Sequence, residues 1–117
     1  MKKILMSLLF IAAGAAHAQA VPVREQARIV NEILAERLDI VLPALMKKND
    51  IDMWVVISRE YNEDPVLKTM LPAEWLNARR RTILVFYQNP KTSKYEKLAI
   101  ARYDVGAAIK GAWDMKR

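Results

Sequence analysis

Met53-Trp54-Val55-Val56-Ile57 decides the fold. It is an unbroken apolar run of strand length, with Asp52 before it and Ser58-Arg59-Glu60 after it. Its β-branched and aromatic content favours a buried strand over a helix. Thr82-Ile83-Leu84-Val85-Phe86-Tyr87 reads the same way. Between the two runs, Glu60 to Arg81 holds Pro65 and Pro72 in mixed polarity, which predicts a long connection with a short helix around Ala73–Arg80. Gln88-Asn89-Pro90-Lys91-Thr92-Ser93 has turn chemistry, and Lys97-Leu98-Ala99-Ile100-Ala101-Arg102-Tyr103 follows as a partly alternating strand. The second and third strands therefore form a hairpin with a long loop.

Upstream, residues 24–41 carry Ile29, Ile33, Leu34, Leu38, Val41 and Leu42 at three- and four-residue steps, the period of an amphipathic helix. Charged residues fill the other face, where Glu25 and Arg28 can pair. Pro43 has no N–H for the carbonyl of Asp39, so the helix must kink or restart there. A short helix from Pro43 to Lys48, stopped by Asn49-Asp50, satisfies that constraint. The expected fold is α/β, a small mixed β-sheet flanked by helices. Strands this apolar call for cover on both faces, and one amphipathic helix supplies one cover.

The first twenty residues belong to a different class. Met1-Lys2-Lys3 is a short cationic start, Ile4 to Ala16 is an apolar run broken only by Ser7 and Gly14, and small residues follow. That order predicts a secretory signal peptide over residues 1–20, cleaved after Ala18 or Ala20. The run is shorter than the ~20 apolar residues of a membrane span, and without cysteine it cannot be a lipoprotein anchor. The expected product is an exported, periplasmic or extracellular domain over residues 21–117, with no membrane attachment after cleavage.

Composition narrows the chemistry. Cleavage after Ala18 leaves 99 of 117 residues, one small domain, and removes Lys2 and Lys3, so the net charge falls from +6 to +4. That balance is too mild to call for nucleic acid. There is no cysteine, and the one histidine, His17, lies in the signal segment. His-based triads, cysteine nucleophiles and zinc sites built on His or Cys are thereby excluded from this chain. Asp50, Asp52 and Glu60 bracket the first strand without the spacing of a metal site.

Arg59-Glu60-Tyr61-Asn62-Glu63-Asp64-Pro65 follows directly on a strand, where α/β sheets place ligands. Residue chemistry alone favours a solvated loop in which Asn62 or Asp64 starts a turn before Pro65. Arg79-Arg80-Arg81 reads as a helix end carrying dipole-favoured cations rather than a phosphate grip. Trp54, Trp75 and Trp113 read as core packing, with Trp75 and Trp113 also placed to meet a partner.

Three blocks carry a family resemblance: Ile51 to Pro65, Leu76 to Tyr87, and Ala101-Arg102-Tyr103-Asp104-Val105-Gly106. Together they resemble the N-terminal, creatinase/prolidase-like domain of exported bacterial Xaa-Pro aminopeptidases and related pita-bread metallopeptidases. The resemblance spans about residues 24–114 and implies an α/β domain with a mixed sheet. In that family a larger catalytic domain follows, holding a divalent metal pair (manganese, cobalt or zinc) on Asp, His and Glu ligands. No catalytic or metal-binding residue of this chain matches it, so the resemblance implies a chain inactive alone, with no cofactor of its own. Lys110-Gly111-Ala112-Trp113 matches the stretch leading onward, and the chain is expected to break off just after it. The family's N-terminal domain commonly helps dimerisation and borders the active-site entrance. The resemblance therefore implies a cleft-facing loop of Arg59, Glu60, Tyr61, Asn62 and Asp64. The implied partners are the catalytic domain, a second copy in a homodimer, and peptide substrate only through the full enzyme. The competing expectation is a free-standing exported module that binds a protein or peptide.

Overall fold

The computed structural model describes residues 20–101 and 103–113. Residues 1–19 of the expected signal peptide, residues 1–20, lie outside them. Elements run in the order α1 (Val23–Glu36), a π-helical turn (Arg37–Val41), α2 (Leu42–Lys48), β1 (Met53–Arg59), α3 (Pro65–Lys68), β2 (Arg81–Gln88), β3 (Tyr95–Ala99) and β4 (Lys110–Gly111). The four strands form one sheet in the order β1-β2-β3-β4. The first two pairings are antiparallel and the β3–β4 pairing is parallel. The expected small mixed α/β sheet is present.

Pro43 is accommodated without a break. In the π turn the Leu42 N–H donates to the Arg37 carbonyl, five residues back, so the ladder changes step next to the residue that cannot donate. The wider turn also changes which residues face inward. Leu34, Leu38, Leu42 and Met46, each four apart, are all buried. A regular α-helix would drift off that line, and the π turn holds it. Ile29, Ile33 and Val41, expected in the apolar stripe, are exposed instead. Lys97 on β3 forms an ion pair with Asp39, which anchors the π turn to the sheet. Asp50, with φ of 53°, stops α2 in the left-handed region.

The segment 73–80 is not helical, which corrects the expectation for Ala73–Arg80. One long-range and one local side-chain contact take two of its backbone N–H groups. The Ala73 N–H donates to the Asn31 side chain (2.9 Å) and the Arg79 N–H to the Thr82 hydroxyl (3.1 Å). Arg80 sits at φ 51°, outside helical space. The short helix of the connection is α3, where the Asp64 carboxylate accepts the Val66 N–H (2.7 Å) as N-cap. The third strand starts at Tyr95, two residues before its expected start at Lys97, because Gln88 pairs with Tyr95 across the hairpin. Its turn is closed by the Asn89 side chain, which accepts the Lys91 and Thr92 N–H groups.

The sheet has two unlike faces. Val56, Ser58, Thr82, Leu84, Phe86 and Ala99 are buried on the side of the helix. On the other side the register aligns Ile57 with Ile83, Val55 with Val85 and Leu98, and Met53 with Tyr87 and Glu96. Ile57 is 62% exposed and Met53 54%, so no layer covers this face among the described residues. β1 is also an unpaired edge strand in this sheet.

One internal tension is visible between β2 and β3. The Tyr95 hydroxyl and the Gln88 side-chain carbonyl are buried without a hydrogen-bond partner. Burial, and secondarily the Asp39 carboxylate, pushes the Tyr95 phenol well above its ordinary value. A phenol whose folded pKa is raised stabilises the fold below its unfolded pKa, about 10. That contribution is lost as pH rises through the folded value. Tyr95→Phe removes the unpaired hydroxyl and is expected to raise stability by about 1 kcal/mol at neutral pH. It should also blunt alkaline unfolding, and thermal melts at neutral pH and above pH 10 check both.

Candidate functional site

The loop after β1 is built by backbone and cap chemistry. The Asn62 N–H donates to the Arg59 carbonyl (3.1 Å), and Tyr61 turns the chain at φ 67°. Below it the buried Ser58 hydroxyl accepts the Asp64 N–H (3.0 Å) and donates to the Asn62 carbonyl (3.4 Å). The Asp64 side chain caps α3, the role that turn chemistry alone assigns it, while Asn62 is engaged through its backbone N–H and carbonyl. Tyr61 projects into solvent at 90% exposure.

The other two candidates meet β2. Arg59 lies directly opposite Arg81 in the sheet register, a like-charged cross-strand pair. Glu60 is tied to Arg80 by its N–H to the Arg80 carbonyl (2.7 Å) and by its carboxylate accepting the Arg80 N–H (3.4 Å). The structure therefore brings Arg59 and Glu60 to Arg80 and Arg81, and leaves Tyr61 apart.

Reading Arg79–Arg81 as a helix end is overturned, because the residues enter strand β2. They line a surface cavity of roughly 530 Å³ with Ile100, Ala101, Tyr103 and Trp113. Arg79 lies over the Trp75 ring at 4.7 Å from its centroid, and Trp75 lies 6.0 Å from the Tyr103 ring. Trp75 packs partly on the core, whereas Trp113 is 52% exposed beside the arginines. Trp54 packs on the core 6.1 Å from Phe86, as expected.

The far wall of this corner is held by Asp104. Its carboxylate accepts the Gly111 N–H (2.9 Å) and pairs with Lys110 (2.9 Å). The Gly111 N–H first, and Lys110 second, hold the carboxyl below the usual carboxylate range. Gly111 is required here, since a Cβ would lie 2.6 Å from the Tyr103 carbonyl oxygen. With the folded pKa lowered, the clasp stabilises above the unfolded value of about 4 and is lost as pH falls through the folded one. Asp104→Asn is therefore expected to melt below the parent at neutral pH, with the gap closing in acid. Melting curves at pH 7 and pH 3 check this.

A second cavity of about 240 Å³ lies against the helix, but its charged groups are already engaged, Asp39 with Lys97 and Glu74 with Asn31. Among the described residues, no group of three or more acidic, His or Cys side chains is placed to hold a metal ion. No described helix is long and apolar enough to cross a membrane.

Comparison with protein-family models, with curated proteins and with solved structures gives no match. The family resemblance rests on the residues quoted for it.

Proposed function

We propose that this chain serves as the non-catalytic N-terminal domain of an exported Xaa-Pro aminopeptidase-like metallopeptidase, supporting its dimerisation and bordering its active-site cleft. The observation that carries this reading is where the three resembling blocks go. The first ends in the Arg59–Asp64 loop, the second passes beside that loop at Arg80 and Arg81, and the third supplies Ala101 and Tyr103 to the cavity that Arg79–Arg81 line. Segments far apart in sequence thus meet at one end of the sheet, as a surface bordering a cleft would require. Arg59 and Glu60, with Arg80 and Arg81, are the cleft-side groups. The metal pair and the chemistry belong to the catalytic domain. The expected result with the purified chain and manganese, cobalt or zinc is no release of the N-terminal residue from a Xaa-Pro peptide. Metal-dependent turnover by this chain alone would overturn the proposal.

A second reading, a free-standing exported binding module, is favoured by the exposed Trp113 and Tyr103 beside Arg79, Arg80 and Arg81. It requires the chain alone to unfold cooperatively as a monomer or a defined complex. A molten or indiscriminately aggregating chain would rule it out.

A further inference from the structure

We infer that the arginine-lined cavity, where β1 ends and β2 begins, binds the terminal carboxylate of a short peptide. The choice of a peptide rests on the reading above, whereas the anion site rests on how the corner is built. Consecutive residues of an extended chain face opposite ways. The left-handed Arg80, at φ 51°, interrupts that alternation, and Arg79, Arg80 and Arg81 all line the one cavity. A bulky residue keeps such a backbone only where its surroundings impose it. Glu60 imposes it here, its N–H donating to the Arg80 carbonyl (2.7 Å) and its carboxylate accepting the Arg80 N–H (3.4 Å).

The cations are held ready for an acid. Arg79 is stacked on Trp75, 4.7 Å from the ring centroid, and Trp75 lies 6.0 Å from the Tyr103 ring. Stacking occupies the flat face of a guanidinium and leaves its N–H edge, which grips a carboxylate through two parallel hydrogen bonds. Arg59, opposite Arg81, adds a further cation beside the cavity. The nearby carboxylates are engaged elsewhere, Glu60 with the Arg80 backbone and Asp104 with Lys110 and Gly111. Among the described residues, the ion pairs do not include Arg79, Arg80 or Arg81. Ile100, Ala101 and the partly exposed Trp113 supply apolar wall. That mixed lining suits a carboxylate carried on an organic chain better than a bare inorganic ion. The volume, roughly 530 Å³, falls in the range of about 300–1,000 Å³ usual for small-molecule sites. A peptide that enters an aminopeptidase amino end first leaves its carboxyl end at the border of the cleft. The arginine corner then selects peptides by their free terminal carboxylate.

The test is calorimetric titration of the full chain with the tetrapeptide Ala-Pro-Ala-Ala, its C-terminal amide and inorganic phosphate, with tryptophan fluorescence as a second readout. The free acid is expected to bind with a dissociation constant on the order of 0.1 mM, the ligand-efficiency scale for a molecule of this size. The amide should bind at least about tenfold more weakly, since it brings no charge to the arginines. Arg79→Gln and Arg81→Gln should each cost roughly tenfold as well, with circular dichroism checking the fold. Arg24→Gln, at an exposed position of α1, should change nothing. Equal affinity for acid and amide overturns the proposal, and that comparison needs no variant. So does an acid that fails to bind at about 10 mM, far above the expected constant. Phosphate that binds as tightly as the peptide acid overturns the peptide assignment. A loss at Arg24→Gln equal to that at Arg81→Gln would reduce the effect to net charge and overturns the site. A chain that binds no peptide leaves the proposed domain role standing. Metal-dependent turnover by this chain would contradict that role and leave the binding outcomes unchanged.

Discussion

Phe86→Ala is expected to lose about 3–5 kcal/mol of folding stability. Phe86 is fully buried on the helix side of β2, the strand between β1 and β3. Its ring meets Trp54 across the β1–β2 pairing, with centroids 6.1 Å apart. Truncation removes apolar contact and leaves a cavity between sheet and helix that the strand ladder cannot collapse. Small domains hold roughly 5–15 kcal/mol in all, and one with an open sheet face belongs at the low end. The variant should therefore be largely unfolded at 37 °C. Phe86→Leu keeps most of the volume and should remain folded with a reduced midpoint. Urea unfolding followed by far-ultraviolet circular dichroism measures both. A Phe86→Ala midpoint within error of the parent would mean the core lies elsewhere.

Leu38→Ala is the second large effect, and its value lies in a comparison. The sequence period places Leu38 and Ile33 in one apolar stripe, but Leu38 is 0% exposed and Ile33 50%. Leu38→Ala should cost about 2–5 kcal/mol, whereas Ile33→Ala should cost well under 1. Equal losses at the two positions would contradict the π turn, since a regular helix through residues 37–41 would rotate the inward stripe. The same urea experiment distinguishes these outcomes.

The contrast shows which features are legible in sequence. The strands at 53–59 and 81–88 are visible as apolar runs, and the hairpin as turn residues between them, because these signals are local. The open face is legible too, as two apolar runs with one amphipathic helix to cover them. The segment 73–80 is misread because Asn31, 42 residues away, holds the Ala73 N–H. No local propensity contains that contact. The π turn is anticipated only as a disturbance at Pro43, since the choice of turn depends on keeping Leu34 through Met46 against the sheet.

The candidate site divides along the same line. Asp64 does what a short polar residue before a proline does in turns. The corner that joins Arg59 and Glu60 to Arg80, Arg81, Tyr103 and Trp113 is assembled by the β1–β2 register and the return of β4 beside β3. Three consecutive arginines after Leu76-Asn77-Ala78 look like a helix end until that register is known. The signal that could have placed them was their position immediately before an apolar strand run, mirrored by Arg59 immediately after the other.

The central proposal sets this domain in front of a metallopeptidase catalytic domain, and the reading frame beyond Arg117 tests it most directly. Sequencing the DNA downstream should reveal an in-frame continuation, or an adjacent second piece, that carries the Asp, His and Glu ligands of a two-metal site. Unrelated sequence at that place, in this chain and in every chain that resembles it, would contradict the proposal.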